Sequence, residues 1–512
     1  MQIKGMIRSN VYYDSVSLMQ ISRAVEEHPG VRSAMVGMGT DMNKELLQTA
    51  GLLFDEARAA KPSDLIIAFV ADEGTSEDEV LALVDRKLNE KAKDEKKEDA
   101  PPSSLGSAIK RHPEINISLI SLPGTYAAQE ARKALNRGLH VMLFSDNISV
   151  GEEISLKKLA HEKGLLMMGP DCGTAIINGK GLCFANKVRE GGIGIAGASG
   201  TGTQEVSVLI DHMGGGVSQV LGTGGRDLSL EVGGIMMLDC IDALDKDPST
   251  KAIVLISKPP VESVAAKILE KAGSCSKDVV VCFINSTEKP DDGRIHFAST
   301  LEEAARKAVI LTEGNAALLA DEWNIEELRG LSERLRANGQ KYVRGLYCGG
   351  TLCDEAAAIF GKVLPEDVYS NVGKVRQLPD ASHSIAHSFV DLGDDKFTVG
   401  RPHPMIDPDL RNKRIVSEAL DPETAVVLFD VELGFGSHRD PAGEAARAIA
   451  KAKSALKESG REVLFIAYVL GTRDDLQGYE KQVNLLREQG VIVASSNARA
   501  ARLSLELTGG AR

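Results

Sequence analysis

Ser199-Gly-Thr-Gly-Thr-Gln-Glu205 is answered later in the chain by Gly349-Gly-Thr-Leu-Cys-Asp-Glu355, and each stretch follows directly on an apolar run. What comes after them also corresponds. Asp247-Pro-Ser-Thr-Lys-Ala-Ile-Val-Leu-Ile256 pairs with Asp421-Pro-Glu-Thr-Ala-Val-Val-Leu-Phe429, the run ending at Thr287 pairs with the one ending at Thr472, and Ala298-Ser-Thr-Leu-Glu-Glu-Ala-Ala pairs with Ala494-Ser-Ser-Asn-Ala-Arg-Ala-Ala. Solenoid repeats have periods of roughly 20 to 50 residues, so a unit of this length is a duplicated domain. In Gly191-Gly-Ile-Gly-Ile-Ala-Gly-Ala-Ser-Gly-Thr-Gly-Thr-Gln-Glu205 a strand runs into small residues and then into a helix expected to begin near Thr203. Free N–H groups and the positive end of a helix dipole favour an anion at such a turn. The expected phosphate or carboxylate contacts are therefore Ser199, Gly200, Thr201 and Gly202 in the first copy and Gly349, Gly350 and Thr351 in the second. Gly192, Gly194 and Gly197 do match Gly-x-Gly-x-x-Gly, but the match overlaps the strand and is not read as a dinucleotide fingerprint.

Away from the repeat, short apolar runs alternate with amphipathic stretches, the pattern of an α/β protein with parallel sheets and crossover helices. Early strands are expected at Ile3 to Ile7, Ser33 to Gly37 and Leu65 to Val70, with helices from Asp14, Asn43 and Ser76. Alternating charges and Pro-Pro-Ser-Ser mark Lys91 to Ser104 as a linker. Further strands fall at Ile115 to Leu122, Val141 to Phe144, Leu165 to Met168, Ile193 to Ala196 and Val217 to Leu221. A helical connection from Glu313 to Gly339 leads into the second copy. The expected domains are 1–105, an α/β extension; 106–190, Rossmann-like; 191–313 and 344–512, the two copies; and a linker at 314–343.

The 512 residues carry 60 Lys and Arg against 73 Asp and Glu, a net charge of -13 with no basic stripe, which argues against nucleic acid and anionic membrane as partners. Met1-Gln-Ile-Lys-Gly-Met-Ile-Arg lacks the apolar core of a signal peptide and no apolar run is long enough to span a bilayer, so the expected location is cytoplasmic. Seven cysteines without a Cys-x-x-Cys pair give no metal or disulfide framework, although Cys172 and Cys348 sit beside glycine turns where a thiol could react. No metal is expected.

Other candidate residues lie at strand ends, beyond which α/β proteins bind ligands. They are Asp171 and Cys172, the turn Gly224, Gly225, Arg226 and Asp227, and Gly434 and Gly436 in Val431-Glu-Leu-Gly-Phe-Gly-Ser-His438. Asp391-Leu-Gly-Asp-Asp-Lys-Phe-Thr-Val-Gly-Arg-Pro-His-Pro-Met-Ile-Asp407 is the densest polar stretch. Within it Arg401 offers a fork suited to a carboxylate or phosphate, and two prolines stiffen the presentation of Arg401 and His403. Lys258, in Ile-Ser-Lys-Pro-Pro, could reach the same pocket.

From Asn116 to Leu311 the order of these motifs resembles the α subunit of succinyl-CoA synthetase. Gly169-Pro-Asp-Cys172, Ile193 to Glu205 and Gly224-Gly-Arg-Asp227 are similar to that family's Gly-Pro-Asn-Cys turn, Ser-Gly-Thr phosphate loop and Gly-Gly-Asp turn. The second copy is similar to the ligase domain of the β subunit, and the whole chain resembles the FdrA family of acyl-CoA-synthetase-like proteins. The resemblance implies a Rossmann-like CoA-binding-type domain followed by two flavodoxin-like ligase domains. Two departures matter. The turn that carries the family's orienting glutamate reads Ile256-Ser-Lys-Pro-Pro260, and the phosphohistidine loop is reduced to Asp291-Asp-Gly-Arg-Ile-His-Phe-Ala-Ser, leaving His296 as a weak candidate. No room exists for the ATP-grasp domain of the β subunit. The resemblance thus implies transfer of an acyl group from an acyl phosphate. Its foremost form is carbamoyl phosphate plus oxamate giving oxalurate and phosphate in purine and allantoin breakdown, with Arg401 holding the oxamate carboxylate. The alternatives are an ADP-forming acyl-CoA ligase, with CoA as a ligand, and a non-catalytic regulatory subunit. Assembly as a homo-oligomer and with partner subunits encoded nearby is also implied.

Overall fold

The computed structural model describes residues 3–509 apart from 12, 14, 27, 73, 93–101, 103, 285–288 and 399–401. The expected N-cap Asp14, most of the expected linker 91–104, the repeat residue Thr287 and the candidate Arg401 fall outside the described residues. The chain divides into two compact units, Met1–Glu114 and Ile115–Arg512. The first therefore continues past the boundary expected at 105 and takes in the helix Leu105–Arg111.

In the first unit Leu65–Ala71 is the centre of a three-stranded antiparallel sheet, flanked by Ile3–Arg8 and Val31–Met38. Leu65, Ile67 and Phe69 face the helices Ser15–Glu26 and Glu77–Ala92 through Leu18, Val25, Val80 and Val84. Ile66 and Ala68 point the other way, onto Leu47, Leu52 and Ala57. Covering both faces explains why this strand reads as a continuous apolar run instead of alternating.

The second unit begins with three parallel strands, Ile117–Ile120, His140–Leu143 and Met167–Met168. A seven-stranded sheet follows. Five of its strands are parallel, in the order Ile295–Phe297, Asp278–Phe283, Ala252–Ser257, Glu190–Gly197, Val217–Gly222, and the hairpin Thr174–Ile177/Lys180–Cys183 extends it. The second copy repeats that order with Ile492–Ala494, Leu464–Leu470, Thr424–Glu432, Tyr342–Tyr347 and His387–Asp391, and adds Val368–Ser370 and Arg376–Gln377 at its edge. In chain order each copy reads 5-4-3-1-2, the doubly wound arrangement whose ligand site lies at the carboxyl ends of the strands where the order reverses. The helix following each copy's first strand starts at that point. The connection between copies is helical only in part: one helix ends at Glu313 and the next is Ile325–Ala337.

Helices from both copies share one core, in which Val206 and Ile210 belong to the same cluster as Ala356, Phe360, Ala500 and Leu503. The duplication is also bolted together by exchange of caps. Glu355 of the second copy accepts from the Leu301 N–H at 2.8 Å, the start of the first copy's last helix, and from Asn497 Nδ2 at 2.8 Å. Glu205, its repeat equivalent, accepts from the Asn497 N–H at 3.2 Å, the start of the second copy's last helix. Burial holds both carboxyls above the ordinary range, and for Glu205 the neighbouring Glu355 adds to it. Among the described residues no helix is long and apolar enough to cross a membrane.

Candidate active site

Strand Glu190–Gly197 gives way to Ala198 and Ser199, and the helix Gly200–His212 begins at once, three residues before the expected Thr203. Ser199 is the N-cap and its hydroxyl accepts from the Gly202 N–H at 3.1 Å. Gly200 and Thr201 are thus the first two helical positions, whose N–H groups a helix cannot satisfy internally. In the second copy, strand Tyr342–Tyr347 leads through Cys348 and Gly349 into the helix Gly350–Gly361. The two helix starts meet: Ser199 Oγ lies 2.6 Å from Thr351 Oγ1. Glycine permits this approach on each side. A Cβ added to Gly202 would come within 2.6 Å of Ser199 Oγ and 2.8 Å of Thr351 Cγ2, and one added to Gly349 would sit 2.8 to 2.9 Å from three atoms of Thr201. Gly349→Ala should therefore push the helices apart at about 1–3 kcal/mol. Urea denaturation should register that loss, together with weaker binding of inorganic phosphate; unchanged values for both would show that the contact does not matter.

The two turns are not equivalent as anion sites. In the second, Asp430 from the middle of the sheet accepts the N–H groups of Cys348 and Gly349 at 2.7 and 2.9 Å. The chain's own carboxylate fills that nest, which corrects the expectation that Gly349 donates to a ligand. What the second copy still offers is its helix start at Gly350 and the Thr351 hydroxyl.

A cavity of about 640 Å³ opens over the meeting point, lined by Ser199, Gly200, Thr201, Gly350 and Thr351 and, from other elements, Lys258, Asp171, Asp391 and His403. Asp391 ends its strand and is 8% exposed; its Oδ1 accepts from the Gly393 N–H at 2.8 Å. Burial raises its carboxyl to about 7, with Lys258 opposing the rise and Asp394 and Asp430 adding to it. A methyl group at Gly350 would run into the Asp391 carboxylate, so this acid stands over the first turn of the second helix. His403 packs its ring against Phe184 at 5.8 Å between centroids, and burial lowers it to about 4. The ring is neutral at pH 7. Its Nδ1 accepts from the Met405 N–H at 3.2 Å, which leaves the proton on Nε2 as a donor. Asp171 has φ 55°, donates its N–H to the Ser145 carbonyl at 3.0 Å and is an exposed residue on the cavity wall. Although the residue is exposed as a whole, crowding of its carboxyl by protein, then Asp146 and Asp395, raises it to about 6 against the opposing charges of Arg226 and Lys258.

Several expected residues do other work. Gly225 lines the cavity, but Arg226 pairs with Glu153 at 3.0 Å and donates to the Ile148 carbonyl at 2.8 Å. Asp227 is fully buried, accepting from Lys157 at 2.8 Å and from the N–H groups of Met236 and Met237. Gly224 packs beneath the Pro170 carbonyl. Gly434 and Gly436 do not line the cavity; they seat their loop against Ala185 and Phe184. His296 sits on an edge strand between Asp278 and Asp291, at 3.2 and 3.1 Å, and is absent from the cavity wall. Burial drives the Cys172 thiol up to about 12 and also raises Cys348, so neither is a ready nucleophile. Cys348, Asp430 and Glu432 have metal-ligand spacing, but the Arg411 guanidinium already lies among them, 3.6 Å from Cys348 Sγ and 2.6 Å from the Asp430 carbonyl. The residue that sequence reasoning passed over is Asp391. Its one signal was position, an acid ending an apolar strand.

Three stretches match known families: residues 1–103 the AllF heavy metal-associated domain, 188–284 the CoA binding domain and 346–507 the CoA-ligase. YahF of Escherichia coli (strain K12) is 50% identical over 511 residues, 99% of this chain and 98% of that one. The chain belongs to the YahF family. Its central part is also 30% identical to the succinate–CoA ligase [ADP-forming] subunit alpha-2 of Trichomonas vaginalis over 205 residues, 39% of this chain and 65% of that protein. Among solved structures, the dinucleotide-forming acetyl-coenzyme A synthetase 1 of Ca. Korarchaeum cryptofilum aligns with 77% of this chain and 83% of its own, at 14% identity and a TM-score of 0.32. The CoA-binding and CoA-ligase stretches of the chain are thus succinyl-CoA synthetase-like. The first hundred residues carry no thiol to ligate a heavy metal. All seven cysteines lie at or beyond position 172, and among the described residues the only group with metal-ligand spacing is the one around Asp430.

Proposed function

We propose that the chain catalyses acyl transfer of the acyl-CoA ligase type, between an acyl phosphate and the thiol of CoA, in either direction. The observation that carries this reading is the meeting of two helix N-termini at Ser199 and Thr351 inside one cavity. The N–H groups of Gly200 and Thr201, the Ser199 and Thr351 hydroxyls and Lys258 hold the phosphate. His403 Nε2–H donates to the carbonyl oxygen, where negative charge develops. The thiol loses its proton to Asp391 as sulfur attacks the carbonyl carbon; the C–S bond forms, the C–O bond to phosphate breaks, and inorganic phosphate leaves into the cradle. Fixed donors aimed at developing charge supply most of the rate. The CoA-ligase and CoA binding matches support CoA as the acceptor.

Carbamoyl transfer from carbamoyl phosphate to oxamate, implied by the FdrA resemblance, uses the same cradle. Both readings have the phosphoryl group arrive already attached to the acyl group, in keeping with the position of His296 outside the cavity. The purified chain, alone and with proteins encoded beside it, should be given acetyl or carbamoyl phosphate with either CoA or oxamate while released phosphate and thioester are followed. CoA-dependent release with thioester formation supports the first reading. Oxamate-dependent release shifts it to the second, and no release with any pair rejects both. Ser199→Ala combined with Thr351→Val should lower kcat/KM about 10²-fold or more, the size seen when a preorganised donor is removed. An active double variant would place the phosphate elsewhere.

A further inference from the structure

A second cavity lies at the other end of the three short parallel strands that open the second unit. The cradle cavity is lined by residues that follow those strands: Leu122 after Ile117–Ile120, Ser145 after His140–Leu143 and Asp171 after Met167–Met168. The second, of about 470 Å³, is lined by residues that begin or precede them, Ile117, His140 and Leu166. Two of the strands have four residues, so at about 3.3 Å per residue roughly 13 Å of sheet separates the two cavities. The hairpin Thr174–Ile177/Lys180–Cys183 and the end of the helix Ile235–Lys246 complete the wall, all within the one compact unit. The floor is buried and apolar, made of Met168, Leu221 and Leu244, and Leu166, Ile177 and Leu182 stand half-buried around it. A concave, mostly apolar space of this size with a few placed polar groups is what small-molecule sites look like, at about 300–1,000 Å³.

The polar groups on its wall say what would enter. His140 Nδ1 accepts from the Leu166 N–H at 2.9 Å, which leaves the ring proton on Nε2, and nothing among the described residues accepts it. Burial holds this ring below the usual histidine range, so it is neutral at pH 7. Gln219 is tied to Asn178 by two hydrogen bonds of 2.8 and 2.9 Å. The two charged groups differ. Asp247 already accepts from the Ser249 N–H at 3.1 Å and from the Ser249 and Thr250 hydroxyls at 2.6 and 2.8 Å, whereas Lys180 is exposed and pairs with no carboxylate among the described residues. From this apolar floor and these unused donors we infer that the cavity is a separate binding site for a small monocarboxylate with an apolar body, aromatic or branched, its carboxylate drawn to Lys180 and to His140 Nε2–H. The apolar body covers Met168, Leu221 and Leu244 and supplies most of the affinity. The site stands apart from the phosphate cradle and does not depend on the acyl-transfer reading.

Three compounds separate the contributions: naphthalene-2-carboxylate has both features, naphthalen-2-ylmethylammonium has the same body with the opposite charge, and acetate has the charge without the body. Titration calorimetry with the full chain should show the naphthoate binding at least about tenfold tighter than the ammonium compound, and neither acetate nor inorganic phosphate displacing it. Lys180→Glu, on the exposed hairpin, should shrink that ratio at least about threefold. Ala243→Phe, which fills the cavity from the helix, should abolish naphthoate binding, with Ala243→Leu in its place if urea unfolding shows the first to be misfolded. Naphthoate that fails to bind, or that phosphate displaces, overturns the proposal, and so does binding that both variants leave unchanged. Equal or tighter binding of the ammonium compound overturns the assignment of a carboxylate. Self-association that buries the cavity, detected by sedimentation and abolished by Ala243→Phe, overturns it in favour of a contact between copies of the chain.

Discussion

Asp391→Asn should make the protein more stable and nearly inactive. In the folded chain burial lifts this carboxyl from an ordinary 3.8 to about 7. Between those values the folded protein keeps a proton that the unfolded chain releases. The group's effect on stability is therefore absent below about pH 4, becomes increasingly unfavourable up to about pH 7, and is constant above it. At roughly 1.4 kcal/mol for each tenfold change in proton affinity, the full effect is about 4 kcal/mol. Asparagine keeps an oxygen to accept the Gly393 N–H but carries no charge, so it escapes that cost. Urea denaturation of the two proteins should coincide near pH 4 and separate progressively towards pH 8, with the variant the more stable. Catalysis should move the opposite way. A base that titrates near 7 makes the wild-type rate rise with pH through that value, and its removal should cost 10²- to 10⁴-fold in kcat. A variant that is both destabilised at pH 8 and fully active would refute the role assigned to Asp391.

The largest loss of stability is expected from Lys157→Met. Lys157 Nζ is fully buried and donates to Glu153 and Asp227 at 2.8 Å each and to the Thr223 carbonyl at 2.9 Å. Removing it leaves two carboxylates inside the protein with only the partly exposed Arg226 nearby. Breaking a buried ion pair from one side costs about 3–5 kcal/mol because the remaining charge is uncompensated. Asp227 also caps the helix Ile235–Lys246, so the loss reaches the turn that carries Gly225 into the cavity. The triple variant Lys157→Met, Glu153→Gln, Asp227→Asn should recover most of the stability, since it removes the charges and not merely their partner. A loss under about 1 kcal/mol in the single variant, measured by denaturant unfolding, would show that water or a shifted Arg226 compensates.

Periodicity and repetition were enough to establish the α/β class and the duplication. Apolar runs such as Leu65–Val70, Val141–Phe144 and Ile193–Ala196 had to be strands because flanking glycine turns and amphipathic stretches left no other way to bury them. The repeated Ser-Gly-Thr and Gly-Gly-Thr turns had to follow strands and start helices, which placed both at the end of the sheet where anions are held. These are local properties, readable from neighbours in the chain.

The division of labour between the two turns was not local. Nothing near Gly349 announces that Asp430, eighty residues on, takes the N–H groups of Cys348 and Gly349, or that Gly202 and Gly349 are small because a threonine of the opposite copy fills their space. Asp391 looked like one acid in a polar stretch, and Asp227 looked like part of a ligand turn; burial raised the first carboxyl to about 7 and made the second a partner of Lys157. A side chain's charge state and free hydrogen-bonding atoms depend on what folding brings against it from distant positions. Sequence alone therefore determined the architecture and the strand ends at which the two turns lie, and the tertiary structure decided which residues of the candidate site have free hydrogen-bonding atoms.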